Sequence, residues 1–227
     1  MRRVLQRQQV KPIYRCRDGS FTEDPGRCTG GAELLLTPEQ RLRLSKLMSA
    51  LLRHIPEEAG LKLDEAGWVG VRELARAIRE RWRRKELYWW LRPEHIVAVA
   101  LLDPRGRFQL DEAGRRIRAA YGHSVRVELD YEPVPWEKLP PVLYHGTVRQ
   151  RLHSIMRCGL LPMRRIAVHL AADRATAAEV GRRHGTDVVI LRVSTECLHR
   201  HGLPVRRASS KIFLVDHVPP DCITVED

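Results

Sequence analysis

Apolar positions recur at helical period between residues 44 and 52. Leu44, Leu47, Met48, Leu51 and Leu52 stand at i, i+3, i+4, i+7 and i+8 and form one face. Lys46, Ser49 and Arg53 fall on another face, a cationic strip that ends in Arg53-His54 just before Pro56 stops the helix. Thr37, Pro38 and Gln40 stand where an N-cap, a first helical position and the closing residue of a capping box belong. The pattern therefore predicts a helix over 38–54 with a core face and a basic tip.

Further along, the periodicity predicts a short extended piece at Leu61-Lys62-Leu63, a second helix near 71–84, and a third opened by Pro93 with the run Ile96 to Leu102. Two strand-like runs, Arg107 to Leu110 and Arg116 to Tyr121, flank Asp111-Glu112-Ala113-Gly114, which is a hairpin signal. Three helices followed by a hairpin predict a winged-helix lobe over 37–125. Residues 1–36, with a basic start, a cysteine loop and Gly30-Gly31, read as an N-terminal extension. The prolines at 133, 135, 140 and 141 around Trp136 mark 126–141 as an inter-domain linker. From Val142 the chain alternates short strands with single helices: a strand at 142–147, helix 148–158, a strand at 167–170, helix 173–183, a strand at 188–193, and Ile212 to Val215. That mixture predicts a small α+β lobe over 142–227 rather than a doubly wound sheet.

Length and composition narrow the class. The 227 residues, 43% of them apolar, accommodate two globular domains. Forty Lys and Arg against 28 Asp and Glu leave a net charge of +12, which favours a polyanionic partner. No run approaches the roughly 18 apolar residues of a membrane span, and the start has charge without the apolar stretch of a signal peptide, so a cytoplasmic protein without membrane association is expected. Arg76, Arg79, Arg81, Arg83, Arg84 and Lys85 together read as a phosphate-binding cluster. The neighbouring Trp89 and Trp90 read as core.

Five cysteines are too few and too uneven for a secreted disulfide framework. Cys16 and Cys28 are each followed at +3 by glycine, as in a zinc ribbon that kept one ligand per knuckle. Two thiolates cannot close a four-coordinate site, so a relic knuckle, with or without a Cys16–Cys28 disulfide, is preferred to bound zinc. Cys158 falls in a helix's apolar pattern and is read as core. His123, His199 and His201 lack carboxylate or cysteine partners at the expected spacing, and no metal is expected. No glycine-rich phosphate loop and no nucleophile elbow is present. What remains is a donor-rich set: Arg53, His54, Arg107, Arg183, His145 and His169. Such a set suits a phosphate reactant, whose non-bridging oxygens arginine neutralises bidentately.

The strings Leu44 to His54, Arg107-Phe108, Ile117 to Ser124, Pro140 to Thr147, Val168-His169-Leu170 and Asp216 to Pro220 resemble, in this order, motifs of the NAD-dependent RNA 2′-phosphotransferase family. The resemblance spans about residues 37–227. It implies a winged-helix lobe joined to an ADP-ribosyltransferase-like lobe, NAD as co-substrate without a metal, and an RNA partner bearing an internal 2′-phosphate, with a tRNA splice junction the expected source. The implied reaction passes through a 2′-phospho-ADP-ribosyl RNA and releases nicotinamide and ADP-ribose 1″,2″-cyclic phosphate. The family's catalytic positions fall on Arg53, His54, Arg107 and Arg183, with Arg182 the alternative to the last. Its NAD-binding positions fall on His145, Gly146, Thr147, His169 and Ile212; Ile212 stands where many ADP-ribosyltransferases carry a glutamate. A phosphate dianion is already a nucleophile and needs no such base. Ala167, Lys211 and Phe213 depart from the family pattern. Two other classes compete: a non-catalytic winged-helix nucleic-acid binder, and an enzyme that caps terminal phosphates of nucleic acids with ADP-ribose.

Overall fold

The computed structural model of the chain describes residues 10–226; the basic start read above lies outside them. The fold is mixed α and β, with six α-helices among the described residues and three antiparallel sheets. Two compact units divide the chain, one ending at Ala119 and the other beginning at Ala120.

In the first unit, β1 (Ile13–Cys16), β2 (Phe21–Thr22) and β3 (Ala32–Leu36) form a sheet in the order β2-β1-β3. A Cys16–Cys28 disulfide closes the loop between β1 and β3. Ile13 and Leu36 are fully buried and join the core of the helices that follow. The helix α1 (Pro38–Arg53) begins as its sequence predicts. Thr37 Oγ1 accepts from the Gln40 amide at 3.2 Å, and Gln40 Oε1 accepts from the Thr37 amide at 3.0 Å. Leu44, Met48, Leu51 and Leu52 are completely buried, each contributing about 1.5–3 kcal/mol of transfer free energy.

After β4 (Val69–Gly70), α2 (Val71–Glu80) and α3 (Pro93–Leu101) pack on the same core through Leu74, Ile78, Ile96 and Val99. The hairpin of β5 (Phe108–Leu110) and β6 (Arg116–Ala119) pairs with β4 in the order β4-β6-β5. Two expectations shift here. Helix α2 stops at Glu80, short of residue 84. Trp89 is 78% exposed rather than core, because Tyr88 and Leu91 on either side take the inward positions.

The second unit is built on a six-stranded antiparallel sheet in the order β10-β11-β8-β7-β9-β12. Its elements are β7 (Val142–Val148), α4 (Arg149–Cys158), β8 (Val168–Ala171), α5 (Arg174–Gly181), β9 (Val188–Ser194), α6 (Thr195–Arg200), β10 (Arg206–Arg207), β11 (Ile212–Val215) and β12 (Ile223–Glu226). Residues 120–134 belong to this unit: Tyr121, Leu129 and Tyr131 pack against Ala167, Ala208, Ile212 and Leu214, and the Val134 amide donates to Val205 O at 2.8 Å. Cys158 is exposed, not core, because α4 touches the sheet only through half-buried Leu152 and Ile155 and has no fully buried residue. A second disulfide, Cys197–Cys222, joins α6 to the turn before β12. No helix among the described residues is long and apolar enough to cross a membrane.

Candidate functional site

The candidate residues fall into two groups, one in each unit. In the first unit Arg53 is the last residue of α1, half-buried, and His54 is the exposed C-cap, its amide donating to Ala50 O at 2.9 Å. Pro56 prevents the helix from continuing, so both side chains sit at a helix end by local sequence alone.

Arg107, at the entry to β5, is held by a partner the sequence reading missed. Its Nε donates to both oxygens of Asp103 at 3.1 Å, Nη2 donates to Asp103 Oδ1 at 2.6 Å, and its own amide donates to Oδ2 at 2.6 Å. Nη2 also donates to Ser45 Oγ of α1 at 2.6 Å. The Asp103 side chain is 1% exposed, and the guanidinium lies 5.4 Å from the Phe108 ring. A side chain with this many restraints spends little entropy when it meets a ligand. Ser45 and Arg53 lie eight residues apart on one face of α1, so the helix that carries Arg53 also orients Arg107.

The arginines at 76, 79, 81, 83 and 84 and Lys85 are all exposed. Arg83 and Arg84, with Arg43 and Lys46 of α1, rim a groove of about 520 Å3 whose apolar wall includes Leu47, Trp82, Leu87 and Tyr88. The Arg83 guanidinium lies 5.0 Å from the Trp82 ring.

In the second unit the candidates converge on β7. His145 Nδ1 lies 3.1 Å from the backbone oxygen of His169 on β8. A carbonyl only accepts, so Nδ1 carries the proton and Nε2 is an acceptor in the neutral ring. Burial pushes the His145 imidazole below its ordinary value, and the positive charges of His184, Arg165 and Arg151 push the same way. The ring is therefore neutral at pH 7. His184 is itself lowered by burial and by Arg151, Arg165 and Arg183, and Arg165 by burial and Arg183. Mutual repulsion among cations signals a site organised for an anion. Of the adjacent Arg182 and Arg183, both exposed, Arg183 is the one whose charge bears on Arg165 and His184; it also lies 3.6 Å from Glu179 on α5. Among the described residues neither Arg151 nor Arg165 has a carboxylate partner within 4.0 Å. Arg151, Arg165 and His184 were not legible as site residues, because each stands singly among many surface cations.

Gly146 has a packing reason for lacking a side chain. A Cβ there would lie 1.8 Å from Ala177 O and 2.9 Å from the Gly181 amide, so α5 reaches β7 only across two glycines. That close approach carries α5, and Arg183 just beyond it, to the strand of His145. Thr147 is buried on β7. His169 packs edge-on to Tyr121 with ring centroids 5.7 Å apart. Ile212, 5% exposed, sits in an apolar cluster on β11, the strand next to β8. His201, read as lacking a carboxylate or cysteine nearby, has Asp221 Oδ2 at 2.8 Å and lies beside Cys197 and Cys222.

The chain is 60% identical over 216 residues to a probable RNA 2′-phosphotransferase of Hyperthermus butylicus, covering 95% of this chain and 93% of the relative. It is 41% identical over 216 residues to one from Aeropyrum pernix, covering 95% and 94%. It is 44% identical over 184 residues to one from Pyrococcus horikoshii, covering 81% and 98%. The model of the family described as RNA 2'-phosphotransferase, Tpt1 / KptA family matches residues 39–217, a span that includes every candidate above, and the chain belongs to that family.

Proposed function

We propose that this chain is an NAD-dependent RNA 2′-phosphotransferase, with a winged-helix lobe that receives the RNA phosphate and an ADP-ribosyltransferase-like lobe that binds NAD. The observation that carries the reading is the cation cluster of Arg151, Arg165, Arg183 and His184 around a neutral, oriented His145. The activity in the relatives' names supplies the reaction.

The second unit fits a dinucleotide. His145 Nε2 is the acceptor face of a half-buried imidazole whose other nitrogen is fixed on His169 O, which suits a ribose hydroxyl. The arginines match the two negative charges of a pyrophosphate. When bound, NAD supplies a ribose carbon with nicotinamide as leaving group.

In the first unit Arg53 and Arg107 grip the RNA 2′-phosphate. Arg107 presents it the guanidinium edge away from Asp103 and Ser45. His54 donates to a phosphate oxygen or moves a proton there. Because the phosphate is itself nucleophilic, the residues position and neutralise rather than abstract a proton. The basic groove at Arg43, Lys46, Arg83 and Arg84 would follow the RNA backbone.

The test is an incubation of the purified protein with a short RNA carrying one internal 2′-phosphate, with and without NAD. The phosphate is expected to leave the RNA only when NAD is present. Retention of the phosphate in both arms overturns the reading, and accumulation of ADP-ribosylated RNA with no further step would favour the capping alternative.

A further inference from the structure

The second unit holds a cluster that the reaction does not use. Cys197 of α6, His201 at its C-cap, and Asp221 and Cys222 in the turn before β12 bring four ligand atoms within 4.8 Å of one another. The cysteines are 3% and 2% exposed, while the imidazole and carboxylate face solvent. His201 Nε2 lies 2.8 Å from Asp221 Oδ2, and Cys197 Sγ lies 3.8 Å from the same oxygen.

A tetrahedral zinc ion with bonds of ~2.3 Å to sulfur and ~2.0 Å to nitrogen or oxygen requires its ligand atoms to stand roughly 3.3–3.8 Å apart. The sulfur-to-carboxylate separation already meets this, and the histidine-to-carboxylate separation needs about 0.5 Å of opening in two exposed side chains. The two sulfurs, bonded to each other in the structure, must also part, which their Cα atoms at 5.3 Å do not prevent, and any pair standing near the 4.8 Å limit closes by about 1 Å, a movement the exposed imidazole and carboxylate can make. Two thiolates, an imidazole and a carboxylate form a set that suits zinc rather than magnesium or calcium. The four-residue spacing from Cys197 to His201 places both groups on one face of α6.

We propose that this cluster is a redox-gated structural zinc site: a disulfide when oxidised, and when reduced a zinc centre held by both thiolates, the imidazole and the carboxylate. In the reducing step a dithiol gives two electrons and two protons to the Cys197–Cys222 bond, closes its own disulfide and leaves two protein thiols. Zinc then replaces the two thiol protons, which pass to solvent. Either state ties α6 to β12, the edge strand that pairs with β9. The cross-link therefore survives a change of redox environment, with metal substituting for the covalent bond.

The test uses the full chain carrying Cys16→Ser, Cys28→Ser and Cys158→Ser, so that only these two thiols remain. It is reduced with a phosphine, which takes an oxygen from water as the disulfide gains two hydrogens, and titrated with cobalt(II). One equivalent is expected to bind with a thiolate-to-cobalt charge-transfer band that zinc abolishes, and the oxidised protein is expected to show none. His201→Ala and Asp221→Asn, at exposed positions that do not threaten folding, should each weaken binding by at least ~10-fold. Zinc measured directly in the reduced wild-type chain provides a second reading, with one equivalent expected. No charge-transfer band on reduction, a band that both exposed variants leave unchanged, or a zinc-free reduced wild-type chain would each overturn the proposal.

Discussion

The cationic side chains around Arg107 and those around His145 solve opposite electrostatic problems. Arg107 has its countercharge built in: a carboxylate with a 1% exposed side chain takes its Nε, Nη2 and backbone amide, and a serine of α1 takes Nη2 again. The group around His145 has cations that repel one another, with Arg151 and Arg165 lacking any carboxylate within 4.0 Å among the described residues. The first arrangement preserves direction at the expense of net charge. The second preserves charge, and its repulsion is relieved when an anion arrives. A fixed fork suits the reacting phosphate, which must be aligned, whereas an uncompensated cluster suits a co-substrate that must be attracted.

The comparison can be broken most severely at Gly146. Gly146→Ala places a methyl group 1.8 Å from a backbone oxygen of α5 that cannot step aside, so the second unit should lose about 3 kcal/mol or more. Denaturant unfolding would measure this. A stability near wild type would show that α5 does not pack on β7 as described.

Next comes the first group. Arg53→Ala is expected to lower turnover by ~100-fold or more while leaving the unfolding transition in place, because it removes a charge that the proposed function assigns to the reacting phosphate. Asp103→Ala should lower turnover as well, by ~10-fold, and also cost about 2 kcal/mol of stability. A fully buried pair broken on one side loses about 3–5 kcal/mol, and the partial solvent access of Arg107 reduces that. Equal effects on rate and none on stability would make Asp103 a reactant rather than an anchor.

The smallest effect is in pH dependence. His145 and His184 both titrate below the ordinary value of 6.5, so between that value and their folded values the unfolded chain binds more protons than the folded one. Their contribution to stability is complete above pH ~6.5 and is lost as the pH falls through the folded values. Arg165→Ala removes one like charge and should move the His145 titration upward, as followed by histidine NMR. A downward or absent movement would separate Arg165 from His145.

These sites were unequally legible in the sequence. Helix α1 could be read because capping residues and apolar period agree over 16 residues, and its end at Pro56 places Arg53 and His54 by steric rule. Asp103 stands before Pro104, and nothing local in the sequence shows that its carboxylate folds back onto Arg107. Arg151, Arg165 and His184 come together only through tertiary structure, from α4, the loop before β8 and the segment after α5. The same holds for Cys197 and Cys222, 25 residues apart. Cys158 and Trp89 misled because residue type predicts burial only on average: α4 touches its sheet through two side chains and leaves Cys158 outside, and beside Trp89 the inward positions are taken by Tyr88 and Leu91. Gly146 was legible as part of a motif, whereas its physical reason, the approach of α5, was not.

The division of labour is tested most directly by titrating two double variants with each ligand separately in a calorimeter. Arg53→Ala/Arg107→Ala should bind NAD as the wild type does and lose at least ~10-fold in affinity for an RNA carrying one internal 2′-phosphate, whereas Arg151→Ala/Arg165→Ala should lose at least ~10-fold for NAD and keep the RNA. If both variants weaken the same ligand, or neither weakens its own, the assignment of phosphate to one unit and dinucleotide to the other is contradicted.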